Sequence, residues 1–175
     1  MKNFLFFILI FIILFSFYSC KKSYYKEKGL PDLTKENVDG EKLWERITKE
    51  DNYKKYPAWP DYEGMQPGKS PHGRFHKVYI NPKLRNSLPL KDKITPIGSI
   101  IVKENYTPDK ELAAYTVMAK VKDFDNDNND WFWAKYDKTG KVMAEGKFDF
   151  CIACHIGSKN NDYLIIYKLD KPLKK

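Results

Sequence analysis

The chain has 175 residues, with 31 Lys+Arg against 23 Asp+Glu, a formal net charge of +8. That length suits one domain and excludes a multidomain enzyme, and 15% aromatic residues exclude a disordered chain, because there is ample apolar surface to bury. Only three of the basic residues are Arg, and the lysines are scattered in runs of at most two. Nucleic-acid readers concentrate charge and use Arg forks, so no nucleic-acid partner is expected. The basic balance reads as a solvated surface, or one that docks on acidic partners or an anionic membrane.

Met1-Lys2-Asn3 precedes an apolar run from Phe4 to Tyr18 broken only by Ser16. A cationic start, a short apolar core and a small residue at Ser19 read as a secretory signal over 1–19. The run is too short to cross a bilayer, which needs about 20 residues. Cys20 follows at once, and Phe17-Tyr18-Ser19-Cys20 resembles the lipobox of bacterial lipoproteins, in which the cysteine is lipidated, although Phe17 stands where an aliphatic residue is commoner. The alternatives are plain secretion or an uncut anchor. Lipidation would also occupy the odd cysteine, since Cys151 and Cys154 form the other pair. The expectation is an exported lipoprotein on the membrane, facing the periplasm or cell exterior, with residues 20–40 as a polar tether and 41–175 as the folded domain.

Within that domain, Leu43, Trp44 and Ile47 have helical spacing, predicting a helix from Asp39 or Glu41 that ends before Pro57. A proline- and glycine-punctuated loop spans 57–72. Strands are predicted at Phe75–Ile80, Ser99–Lys103, Ala114–Val121, Trp131–Tyr136, Lys141–Phe148 and Tyr163–Tyr167. Asn81-Pro82 predicts a capped short helix, and Asp137 to Gly140 a tight hairpin loop. Strands without long intervening helices imply an α+β, mainly β fold, an antiparallel sheet with a few short helices. Asp123, Asp125 and Asp127 have the D-x-D-x-D spacing of a calcium loop. Asn128 stands where its turn needs Gly and Ala134 where it needs Glu, so the segment reads as a solvated hairpin loop.

Cys151-Ile152-Ala153-Cys154-His155 carries the chemistry. C-x-x-C-H is the attachment sequence of c-type haem. Two thiols add to the two vinyl groups, and the adjacent His becomes an axial ligand of the iron. A thioredoxin-like pair would want a βαβ context, and a zinc site a fourth ligand at finger-like spacing; neither is present. One covalent haem c is expected, with His155 on the iron. The residues after His155 include neither Met nor His, so the small-cytochrome order, with a later methionine as second ligand, is impossible. His72 and His76 are candidates for bis-His ligation, against a default of ordinary solvent-facing or core histidines. Trp131, Phe132, Trp133, Phe148 and Phe150 are candidates to wall the haem, or are sheet core.

A β-rich chain with a C-terminal haem motif resembles the cytochrome P460 family, which includes the β-type cytochromes c′. The resemblance runs from about Gly73 to Tyr167. It rests on Val78 to Pro82, Gly98 to Glu104, Val121-Lys122-Asp123, Trp131 to Trp133, Cys151 to His155 and Asn161 to Tyr163. It implies a homodimeric β-sheet protein whose haem is five-coordinate and open on its distal side to small molecules such as NO, CO or hydroxylamine. It makes Lys103 a candidate for cross-linking to the haem macrocycle, as in the name-giving members; the alternative is a lysine paired with Glu104. Strand alternation puts Ile101 and Lys103 on one face and Ile100 and Val102 on the other. Met118 occupies the place where hydroxylamine-oxidising members carry a distal carboxylate; the alternatives are a ligand of the iron or a core methionine. Three functions stay open at this point: an NO or CO binder, an enzyme oxidising hydroxylamine or NO and passing electrons to a partner cytochrome, and a six-coordinate electron carrier.

Overall fold

The structure, a computed structural model, describes residues 33–173. The signal segment, Cys20 and most of the tether lie outside the described residues. Among those described, no helix is long and apolar enough to cross a membrane.

Helix α1, Gly40–Glu45, starts at Asp39, whose Oδ1 accepts from the Lys42 N–H at 2.7 Å and satisfies one of the helix's orphan donors. It continues as a π-helical turn over Arg46–Glu50 and stops at Asn52, in the left-handed region with φ 55°. A 3₁₀ turn over Tyr53–Lys55, rather than more helix, leads on towards Pro57. Then come β1 (Gln66–Pro67), β2 (Phe75–Ile80), α2 (Pro82–Ser87), β3 (Ile100–Tyr106), β4 (Leu112–Lys120), β5 (Trp131–Asp137), β6 (Val142–Gly146) and α3 (Asp149–His155). The six strands form one antiparallel sheet in the order β1 to β6, each paired with its neighbour in sequence. The mainly-β α+β expectation holds.

Local chemistry explains the joins. Asn81 Oδ1 accepts from Leu84 N–H at 3.2 Å and Ile100 N–H at 3.1 Å, and its Nδ2 donates to the Gly98 carbonyl at 2.8 Å. One side chain therefore caps α2 and ties it to the start of β3. At the β5–β6 turn, Asp137 Oδ1 accepts from the N–H groups of Thr139 and Lys141, and Gly140 takes φ 92°.

Alternation along the strands splits the core in two. One face carries Ile100, Val102, Tyr115, Val117, Ala119, Phe132, Ala134 and Tyr136 and packs on α1 through Leu43 and Ile47. The other carries Val78, Ile80, Ile101, Trp131 and Trp133, with Met118 partly buried among them, and meets Leu84, Tyr163, Tyr167 and the inner side of α3 through Cys151 and Ile152.

Three expectations need correction. Tyr163–Tyr167 is not a strand. Asp162 and Tyr163 turn through φ 52° and 65°, and Asn161 Nδ2 donates to the carbonyls of Leu164 and Tyr167 at 2.7 Å each, so a side chain does what a neighbouring strand would. The 57–72 loop contains β1, whose Gln66 and Pro67 pair with His76 and Phe75. The Asp125–Asp130 loop is not simply solvated: Asp125 is buried, accepts from Asn128 Nδ2 at 2.9 Å and pairs with Lys147 at 3.3 Å. No cluster of metal-ligating side chains occurs there or elsewhere among the described residues.

Candidate functional site

The site forms where the second face of the sheet meets α3. Register sets its rows: Ile101 lies opposite Met118, which lies opposite Trp133, and Lys103 lies opposite Thr116, which lies opposite Lys135. The expected face assignment is therefore correct for Ile101 and Lys103, and the register puts Met118 beside Ile101 on that face.

Helix α3 brings Cys151, Cys154 and His155 to this face. Cys151 is half-buried and Cys154 exposed, one helical turn apart, and both are free thiols. Burial, with the neighbouring Cys154, pushes the Cys151 thiol up to about 11, while Lys135 opposes the shift. The His155 ring packs edge-on against Trp133, 4.9 Å between centroids. Its Nδ1 lies 2.8 Å from the carbonyl oxygen of Tyr163. A carbonyl can only accept, so Nδ1 carries the proton and Nε2 is left with its lone pair free for a metal. Burial lowers the imidazole's proton affinity, opposed by that carbonyl, and Lys103 adds to the lowering.

The Tyr163 carbonyl is positioned by a buried node that sequence reading did not find. Lys120 Nζ contacts the two carboxylate oxygens of Asp162 at 2.7 and 2.8 Å. The same carboxylate accepts from Thr95 N–H at 2.8 Å, Thr95 Oγ1 at 2.6 Å and Asn129 Nδ2 at 2.9 Å, and Trp131 Nε1 donates to the Asp162 carbonyl at 2.9 Å. Burial pulls the Lys120 ammonium below its ordinary range, against the pull of Asp162. A lysine at a strand end and an aspartate in a polar turn carried no local signal. Thr116 and Lys135, also unforeseen on this face, follow from counting by twos from Met118 and Trp133.

Lys103 is half-buried, and no carboxylate among the described residues pairs with it. Desolvation brings its ammonium down to about 8. The alternative pairing with Glu104 does not occur. Glu104 is fully buried on the opposite face, where it accepts from Tyr53 Oη at 2.7 Å, Tyr106 Oη at 2.6 Å and from Lys54. Burial pushes its pKa up, but these donors outweigh burial and hold the carboxylate below its usual value. Asp123 and Glu111 are exposed in loops. None of these three carboxylates reaches the Lys103 face.

His76 lies on the same face as Val78 and Ile80, buried, with both ring nitrogens unpartnered. Trp133 Nε1 is likewise buried and unpartnered. His72, in the loop before β2, has its ring 6.1 Å from that of His155. Burial above all, then Lys103 and His155, lowers His72 to about 3, and burial with Lys103 lowers His76 to about 4, so both are neutral at ordinary pH. Of the aromatic candidates, Trp131 and Trp133 face the site, Phe132 turns to the α1 side, and Phe148 and Phe150 are exposed.

The donor set fits a c-type haem on this chain's own evidence. Two thiols stand one turn apart on one side of a helix. A histidine with Nδ1 engaged leaves Nε2 for iron, and apolar walls with orphaned buried nitrogens surround them. A family model described as Cytochrome P460 matches residues 51–166 of this chain. No curated protein matches it.

Proposed function

The chain belongs to the cytochrome P460 family and is a haem c protein of that family; from that premise we propose that it is an exported, lipid-anchored protein that holds one haem covalently through Cys151 and Cys154, with His155 as proximal ligand, and binds NO on the distal side. The observation that carries this reading is His155, with Nδ1 donating to Tyr163 and Nε2 free, on the same helix as the two thiols. When bound, the haem supplies the iron that takes up a small diatomic ligand and exchanges an electron.

The chain's own residues do the rest. The Tyr163 carbonyl fixes the tautomer and tilt of His155 and raises its basicity as a ligand. Trp133, Ile101 and Met118 give the site apolar walls that exclude water. Lys103 faces the site half-buried, and desolvation brings its ammonium down to about 8, so it would present a largely neutral amine above that pH to the group held there. Met118 shares that face, and its thioether cannot accept a proton. NO capture needs no base, whereas hydroxylamine oxidation removes protons with electrons. This favours binding over turnover.

Wild-type holoprotein is expected to bind NO but to oxidise hydroxylamine slowly with an artificial electron acceptor. Met118→Glu should accelerate that oxidation at least tenfold, since a positioned base contributes typically 10²–10⁴-fold. A wild type that turns over fast and is not improved by the substitution would overturn this assignment in favour of an enzyme. The lipid anchor has its own test. Cys20→Ala should release the protein from the membrane fraction or leave it unprocessed, and unchanged fractionation and migration would contradict lipidation.

A homodimer and a partner cytochrome are further parts of the proposal. Exposed Phe148, Phe150 and Ile156 around α3, and Met143 on β6, provide apolar surface beside the haem helix for such contacts.

A further inference from the structure

We infer that the buried cage of tyrosines around Glu104 is a proton-coupled electron donor to the haem: Tyr53 and Tyr106 discharge the oxidising equivalents that hydrogen peroxide leaves there and pass them to the surface at Trp44. This rests on the haem c reading above and adds a protective activity to it.

The chemistry of the cage is the first observation. Glu104 is fully buried and accepts from Tyr53 Oη at 2.7 Å and Tyr106 Oη at 2.6 Å, with Lys54 also donating to it. A phenol that loses an electron becomes a strong acid, so a redox-active tyrosine needs a proton acceptor within hydrogen-bond reach. Glu104 is that acceptor. Its donors hold the carboxylate below its usual value against burial. Burial first, and then Glu104, raise both phenols well above theirs, so each keeps its proton until it is oxidised. The step balances: a phenol and the carboxylate become a neutral tyrosyl radical, a carboxylic acid and one electron for the haem. Cleaving hydrogen peroxide to two waters takes two protons from solvent and two electrons from the haem, which the cage replaces one at a time.

The second observation is the charge itself. Burying a carboxylate is costly, and a glutamine of the same shape would accept from both phenols without that cost. A glutamine could not take their protons.

The third is place. Glu104 follows Lys103 on β3, so the cage stands directly behind the strand that lines the site, with only the backbone of the sheet between them. From Tyr53 the rings continue outward. Tyr115 lies 6.1 Å from Tyr53 between centroids, and Trp44 lies 4.9 Å from Tyr115. Trp44 is half-buried on α1 and lines a surface groove, where a thiol in solution can return the electron. Once the electron is restored, Glu104 gives the proton back to the phenol.

The test mixes ferric holoprotein with hydrogen peroxide and freezes it rapidly for electron paramagnetic resonance. Wild type should show a tyrosyl radical, formed more slowly in D2O because a proton moves with the electron. Spin trapping and peptide masses should place the adducts on Tyr53 or Tyr106 and on Trp44. Tyr53→Phe/Tyr106→Phe, which keeps both rings, and Glu104→Gln, which keeps an acceptor, should each lose the radical. Their haem should bleach after fewer additions of peroxide, while their NO-bound spectra stay those of the wild type. If these variants do not fold, the wild-type radical, its isotope effect and the adduct positions decide the matter. A wild type without a tyrosyl radical, adducts confined to other residues, or folded variants that form the radical as the wild type does would overturn the inference and leave the haem c reading standing. A protein that holds no haem would overturn both.

Discussion

Replacing Asp162 by Ala should destabilise the fold by about 3–5 kcal/mol, because it leaves a buried, desolvated Lys120 ammonium without its counter-charge. The Thr95 and Asn129 donors would be orphaned at the same time. For a domain of this size the melting temperature should fall by roughly 10–20 °C. Pairing the change with Lys120→Met should recover a substantial part of the loss, since the cost lies in the uncompensated charge rather than in the missing ion pair. Thermal melts of the wild type and the three variants give the cycle. The site should respond too. Asp162 orients the segment whose next carbonyl holds His155, so residual folded Asp162→Ala should show altered proximal ligation. A variant as stable as the wild type would show that the node is solvated and that its geometry is not what fixes the turn.

The second large effect concerns attachment. Cys151→Ser/Cys154→Ser should lose all covalent haem when exported alongside haem-attachment machinery, so that denatured protein shows no haem absorbance. The double variant should still fold. The thiols lie on the rim of the second core, half-buried and exposed, while the sheet and the α1 core do not involve them. Circular dichroism of the variant separates loss of haem from loss of fold, and haem that survives denaturation in the double variant would contradict attachment at these residues.

The sheet and the attachment motif were legible because both are written at short range. Runs rich in aromatic and β-branched residues mark Phe75–Ile80 and Trp131–Tyr136 as strands. Period-two alternation correctly placed Ile101 and Lys103 on a common face before any register was known, and the register adds Met118 to it. C-x-x-C-H needs no fold to be read. Failures came where a side chain replaced backbone pairing. Tyr163-Leu164-Ile165-Ile166-Tyr167 has the composition of a strand, and only Asn161 reaching to the Leu164 and Tyr167 carbonyls makes it something else. Strand β1 is two residues long and contains a proline, too little pattern to register. The Lys120–Asp162 pair and the approach of His72 to His155 join segments far apart in sequence. Such contacts are properties of the meander and of the Gly68–Gly73 loop, not of any local run of residues.

Glu104 and Lys103, adjacent in sequence, face opposite sides of the sheet. Alternation sends the carboxylate into a cage of tyrosines behind the sheet and the amine to the site in front. Glu104 therefore lies outside the candidate site.

The most direct measurement is the mass of the proteolytic peptide containing residues 151–155 from wild-type holoprotein. The account predicts a peptide heavier by one haem, absorbing in the haem band, with neither Cys151 nor Cys154 available to a thiol reagent. An unmodified peptide with two reactive thiols, from protein that otherwise folds and is exported, would contradict it.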